Sequence, residues 1–126
     1  MGYGRTIYVP MDFVGTQIYT DGHEYDYLDD ALVIAVDWGR KYIREFRERN
    51  MFDTEVVHTW TIDEVKRKLN IADVDIQRFD DYDSLNQFIK DNPEYTGCNK
   101  AYSAYGKPFA YKIIYVGESD TDIVSL

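Results

Sequence analysis

Apolar and polar positions in this chain alternate with a period of two near both ends and with steps of three and four in the first half. Thr6 to Val9 alternates as a strand, Pro10 stops it or puts it at an edge, and Thr16 to Thr20 resumes with β-branched and aromatic residues. Asp21-Gly22 is a hairpin turn signal, with His23 to Tyr25 as a short return strand. From Tyr27 to about Arg49 the residues Leu28, Leu32, Ala35, Gly39, Tyr42, Ile43 and Phe46 recur at helical steps and predict one long helix. Asp29 and Asp30 in its first turn and Arg47 and Arg49 in its last agree with the helix macrodipole.

Glu55 to Trp60 reads as a strand. Thr61-Ile62-Asp63-Glu64 matches a capping box, in which the Thr hydroxyl and the Glu carboxylate take up free backbone N–H groups, and it opens a short helix to Leu69. Val74 to Phe79 is a further strand. Tyr82 to Asp91 carries Leu85, Phe88 and Ile89 on one helical face and must end before Asn92-Pro93, because proline pushes its predecessor out of helical geometry.

Asn99 to Val116 alternates around Tyr105-Gly106-Lys107-Pro108 and predicts a C-terminal β-hairpin with Gly106-Lys107 at its tip. Pro108 lacks the N–H that would close such a turn, so an open turn or a register shifted by one is expected. In the simplest register Tyr102 faces Tyr111. Lys100, Tyr102, Phe109, Tyr111, Ile113 and Tyr115 then share one side, with Tyr105, Lys112, Ile114 and Val116 on the other. Gly117 to Leu126 reads as an acidic tail. The elements lack regular βαβ alternation, so the expected class is α+β: an antiparallel sheet packed against one long helix and one or two short helices, with the C-terminal hairpin.

Length and composition narrow the picture. The 126 residues are one domain's worth, expected to fold as a single unit over 1–126, and 44% apolar with 16% aromatic residues is enough to build a core. The single cysteine, Cys98, excludes an internal disulfide, no window is apolar enough to span a membrane, and the first residues lack the form of a secretory signal. A soluble protein acting in the cytoplasm is the expectation.

Twenty-three acids against 14 Lys and Arg give a net charge of −9, which disfavours direct binding to nucleic acid or an anionic membrane. Acids cluster over 21–30 and 73–83. Arg40, Lys41, Arg44, Arg47 and Arg49 reverse the sign, and Tyr95 to Gly117 holds Lys100, Lys107 and Lys112 with no acid.

Catalytic and metal patterns are wanting. His23-Glu24 lacks a second histidine four residues on, Asp73-x-Asp75-x-Gln77 lacks the glycine and the closing glutamate of a calcium loop, and no phosphate-cradling glycine motif joins a strand to a helix. Met1-Gly2 with Thr6 fits the loose myristoylation pattern, but no polybasic second signal follows. The expectation is therefore a non-catalytic protein with no metal and no cofactor.

The candidate chemistry is binding. Flat rings for a base, cations for phosphates and glycines for close approach all occur in Lys100, Tyr102, Tyr105, Lys107, Phe109, Tyr111 and Lys112 with Gly97 and Gly106. Arg40, Arg44 and Arg47, at i, i+4 and i+7, would line one helix face and add a phosphate clamp. The competing reading makes the rings core, the lysines guards of an edge strand, and the arginines a surface paired as Asp37–Lys41, Arg44–Glu48 and Glu45–Arg49. From the binding residues we expect sequestration of a small anionic, nucleotide-like ligand, across a homo-oligomer interface if one forms. The alternative is an acidic mimic of nucleic acid that occupies the basic groove of a nucleic-acid-handling enzyme. Small acidic, tyrosine-rich chains of both kinds are found among phage-type counter-defence proteins, a resemblance of size and composition alone.

Overall fold

A computed structural model describes residues 4–14, 17–20, 24–50, 52–98 and 107–117. It is an α+β structure with antiparallel sheets and three helices among the described residues. The chain divides into two compact units, Met1–Leu69 and Asn70–Leu126.

In the first unit, β1 (Thr6–Val14), β2 (Gln17–Thr20), β3 (Tyr42–Asn50) and β4 (Asp53–Thr61) form a sheet in the order β2-β1-β3-β4, every pair antiparallel. Pro10 does not end the first strand. Tyr8 N–H donates to Tyr25 at 2.8 Å on the β2 side, and Pro10, two residues on, turns its missing N–H the same way. The β2 ladder begins only at Met11↔Thr20, so the proline lies in a gap where no donor is needed. Tyr25 contributes this isolated bridge to Tyr8, and Asp21-Gly22 lies outside the described residues.

The expected long helix is two elements. α1 covers Leu28–Asp37, and the residues read as its second half are β3. The cause is a Schellman termination at Trp38-Gly39: Gly39 takes φ +68°, its N–H donates to Val36 at 3.1 Å, and Arg40 N–H reaches back to Ala35 at 2.8 Å. Helical spacing of Tyr42, Ile43 and Phe46 beyond that glycine is coincidence. Asp29 and Asp30 do lie in the first turn, but the last turn holds no base, so the macrodipole argument fails at its C-terminal end. α1 buries Ala31, Leu32 and Ala35 completely, and Ile43 of β3 is likewise fully buried.

α2 (Ile62–Lys68) starts with the capping box as expected: Thr61 Oγ1 accepts from Glu64 N–H at 3.1 Å and Glu64 Oε1 accepts from Thr61 N–H at 2.9 Å.

The second unit has β5 (Ile71–Arg78), α3 (Tyr82–Asp91), β6 (Thr96–Cys98) and β7 (Phe109–Tyr115), with sheet order β5-β7-β6. The consecutive antiparallel strands β6 and β7 are the C-terminal hairpin. Its register differs from the simplest one. Tyr111 lies opposite Thr96 on one side and Ile76 on the other, so the described arm of the hairpin is 96–98, and Tyr102 lies outside the described residues. Strand alternation puts Gly97, Ala110 and Gln77 on one face; α3 covers Gly97 and Ala110 there, a Cβ on Gly97 standing 3.8 Å from Leu85 and Ile89, while Gln77 stays exposed. Asp81 caps α3 by accepting from Ser84 N–H at 2.7 Å, and the helix stops before Pro93 as expected. The tail, 118–126, lies outside the described residues.

The two glycines separate backbone from packing effects. Gly39→Ala has open space around its new methyl but keeps a positive φ, so it should cost about 1 kcal/mol by urea unfolding. Gly97→Ala meets only ordinary van der Waals contacts and should stay within about 0.5 kcal/mol of the parent. Equal losses for the two would contradict the Schellman assignment.

Candidate functional site

Of the expected binding residues, Lys100, Tyr102 and Tyr105 lie outside the described residues. Lys107, Phe109, Tyr111 and Lys112 belong to the second unit and Arg40, Arg44 and Arg47 to the first, so each group is described by itself.

In the second unit Phe109 is 3% exposed, a core ring with no face for a guest, which corrects its assignment as a stacking surface. Tyr111 is half-buried beside it, ring centroids 6.4 Å apart. The alternation itself holds: Phe109, Tyr111 and Ile113 share one face, opposite Arg78, Ile76 and Val74. The cations are engaged. Lys107 Nζ donates to Asp80 at 2.7 Å, which raises its pKa, and Lys112 lies opposite Asp75 with its Nζ 5.2 Å from the Tyr95 ring centre. Asp75 also accepts from the Tyr95 hydroxyl and, at 2.9 Å, from Gln77. Tyr95, Phe88 and Phe79 form a ring series with centroid spacings of 4.9 and 5.1 Å. A hollow of about 360 Å³ borders Arg78, Phe79, Asp80, Asp81, Ser84 and Lys107. Its Lys107 and its helix-start N–H of Ser84 are already matched to the chain's own carboxylates.

The arginine clamp of the first unit does not form as expected, because it needed a helix. On β3, Arg44 pairs with Val9 and Arg47 with Thr6, three residues apart and therefore on opposite faces. Glu48 pairs instead with Arg5 at 3.1 Å, and Arg49 reaches across the sheet to Glu55 at 3.5 Å.

What the sheet builds instead is a groove. Tyr42 at the start of β3 pairs with Thr61 at the end of β4, and Ile62 N–H donates to the Lys41 carbonyl at 3.2 Å. Arg40, Lys41 and Tyr42 form one side and Thr61, Ile62 and Asp63 the other, with Val36 and Gly39 at the helix end, of a shallow depression of about 480 Å³ that is wide open to solvent. Lys41 is exposed and has no ion-pair partner among the described residues. Arg40 has a partly exposed side chain, Nη1 lying 3.7 Å from Asp12 Oδ2. Thr61 Oγ1 accepts from Glu64 N–H, which leaves its O–H to donate. Glu64 is held below the usual carboxylate range, chiefly by the bond from Thr61 N–H. Only Arg40 of this set was expected from the sequence. Lys41 and Tyr42 were hidden by the long-helix reading, and the signal that would have exposed them is Trp38-Gly39.

His58 on β4 approaches Glu64 at 3.8 Å and meets Trp60 edge-on at 4.4 Å, but it is exposed and Glu64 is committed to the cap. No three His, Cys, Asp or Glu come together as a metal site among the described residues, and no described helix is long and apolar enough to cross a membrane. The chain matches no protein-family description, and no curated protein or solved structure shows significant similarity to it.

Asp75 is held below its usual value first by the Tyr95 hydroxyl, then by Gln77, with the Lys112 charge adding to both. A carboxylate depressed in this way favours the folded state above its unfolded pKa, and the contribution is lost as pH falls through the folded value. Tyr95→Phe should raise the Asp75 pKa toward the ordinary carboxylate range in a carboxyl-carbon NMR titration; an unmoved titration would contradict the assignment.

Proposed function

We propose that this protein binds and sequesters a small anionic, nucleotide-like ligand, and that the groove of the first unit holds it. The observation that carries this reading is the pair Arg40 and Lys41, side by side on the wall of a 480 Å³ concavity in a chain of net charge −9. Ligand sites commonly enclose about 300 to 1,000 Å³. Arg40 and Lys41 supply charge-assisted contacts to phosphate oxygens, the Tyr42 ring a stacking surface, Thr61 a hydroxyl donor and Asp63 an acceptor for a sugar hydroxyl. Stacking contributes about 1 to 3 kcal/mol and a bond to a charged group about 1.5 to 3, which together approach the roughly 8 kcal/mol of micromolar binding. None of these groups is arranged as a nucleophile with its base, so the role proposed is capture, in the cytoplasm where nucleotides reside. The resemblance in size and composition to phage-type counter-defence proteins fits that role.

A thermal-shift series with mono- and cyclic nucleotides tests it. Ligand at a hundredfold excess over Kd should stabilise by about 2.7 kcal/mol. Arg40→Ala and Lys41→Ala should each weaken binding about tenfold or more, while Lys107→Ala leaves it unchanged. Absence of any shift, or equal loss with Lys107→Ala, overturns the groove.

A second reading is favoured by the second unit, where Lys107 and Lys112 are taken up by Asp80 and Asp75. Residues 70–126 carry ten acids against five Lys and Arg, and Asp80 keeps 86% of its side chain exposed. Such a surface suits the basic groove of a nucleic-acid-handling enzyme. Binding to such an enzyme should weaken steeply with salt and fail when Asp73, Asp80 and Asp83 are neutralised; salt-insensitive binding rejects it.

A further inference from the structure

The two cations of the groove differ in their surroundings. Lys41 is exposed, whereas Arg40 is shared with a carboxylate that does not line the groove: Asp12 on β1, whose Oδ2 stands 3.7 Å from Arg40 Nη1. That separation carries charge attraction but is too long for a hydrogen bond. Arg40 Nε is buried without a hydrogen-bond partner among the described residues. The guanidinium thus lies within ion-pair range of Asp12 while its Nε lacks an acceptor, and it gains acceptors when it turns toward an oxyanion in the groove.

Resting on the groove reading above, we propose that Asp12 is an affinity- and specificity-determining residue: an internal competitor whose carboxylate draws on the Arg40 charge until a phosphate-bearing guest takes it over. The chemistry that wins this competition must offer more than a carboxylate already does. A phosphate or diphosphate group does so, with higher charge and three acceptor oxygens on its terminal phosphorus. Asp12 thereby sets a threshold against carboxylate metabolites without touching the guest.

Calorimetric titration with pyrophosphate tests this on the full chain. Asp12→Asn, which keeps the shape and removes the charge, should tighten binding at least fivefold over the parent. Asp12→Ser should tighten it as well, which guards against an asparagine-specific effect on folding. In an Arg40→Ala background the same Asp12→Asn change should alter affinity less than twofold, since a competitor acts only through the group for which it competes. Unchanged or weaker binding by both Asp12 variants, with the parent binding normally, overturns the competitor role and leaves the groove standing. Tightening that persists without Arg40 reduces Asp12 to a general surface charge and also overturns it. Failure of the parent and every variant to bind overturns the groove reading together with this one.

Discussion

At Gly39 the backbone turns through φ +68°, a conformation that costs any residue with a Cβ, and the N–H groups of Gly39 and Arg40 close back on α1. The organisation of the first unit depends on that turn. It ends the helix at Asp37, releases the basic run 40–49 into a strand, and sets Arg40 and Lys41 where β3 meets the β4–α2 junction. Without it the same residues would form a salt-bridged helical surface, Lys41 opposite Asp37, with no concavity to border. One αL residue therefore decides whether Arg40 and Lys41 stand on a solvated helix face or beside the groove.

The opposite outcome holds in the second unit, where the chain neutralises its own cations. Central position in a three-stranded sheet makes β7 the strand with neighbours on both sides, so Phe109 and Ala110 are consumed by packing and Lys112 meets Asp75 across the ladder. Lys107 closes on Asp80. A stretch free of carboxylates in sequence is not free of them in space, because β5 and the start of α3 bring acids from 75–81 alongside it. Cationic character survives where no described carboxylate closes on a lysine, as for Lys41.

Local chemistry made much of the fold legible. The capping box at Thr61, the stop before Pro93 and the α3 apolar face each rest on interactions within a few residues, and each is present as read. The 27–49 segment was not legible by periodicity, since Tyr42, Ile43 and Phe46 fit helical steps by chance; glycine after tryptophan was the stronger signal, because a positive φ is a steric requirement and a spacing is only a pattern. The hairpin was legible in kind but not in register, which depends on β5 pairing along the far side of β7. Of the site, Arg40 was found for a reason that fails, as part of a helical clamp, and Tyr42, Thr61 and Asp63 become neighbours only through the antiparallel pairing of β3 with β4. Such nonlocal pairing leaves no trace in a single segment.

The central question is where an anionic guest meets this protein. Amide NMR spectra recorded while a nucleoside monophosphate is titrated answer that directly, residue by residue. Binding in the groove should concentrate the shifts at Gly39 to Tyr42 and Thr61 to Asp63, saturating together with one affinity. Shifts concentrated at Lys107 to Lys112, or no shifts at millimolar ligand, would contradict it.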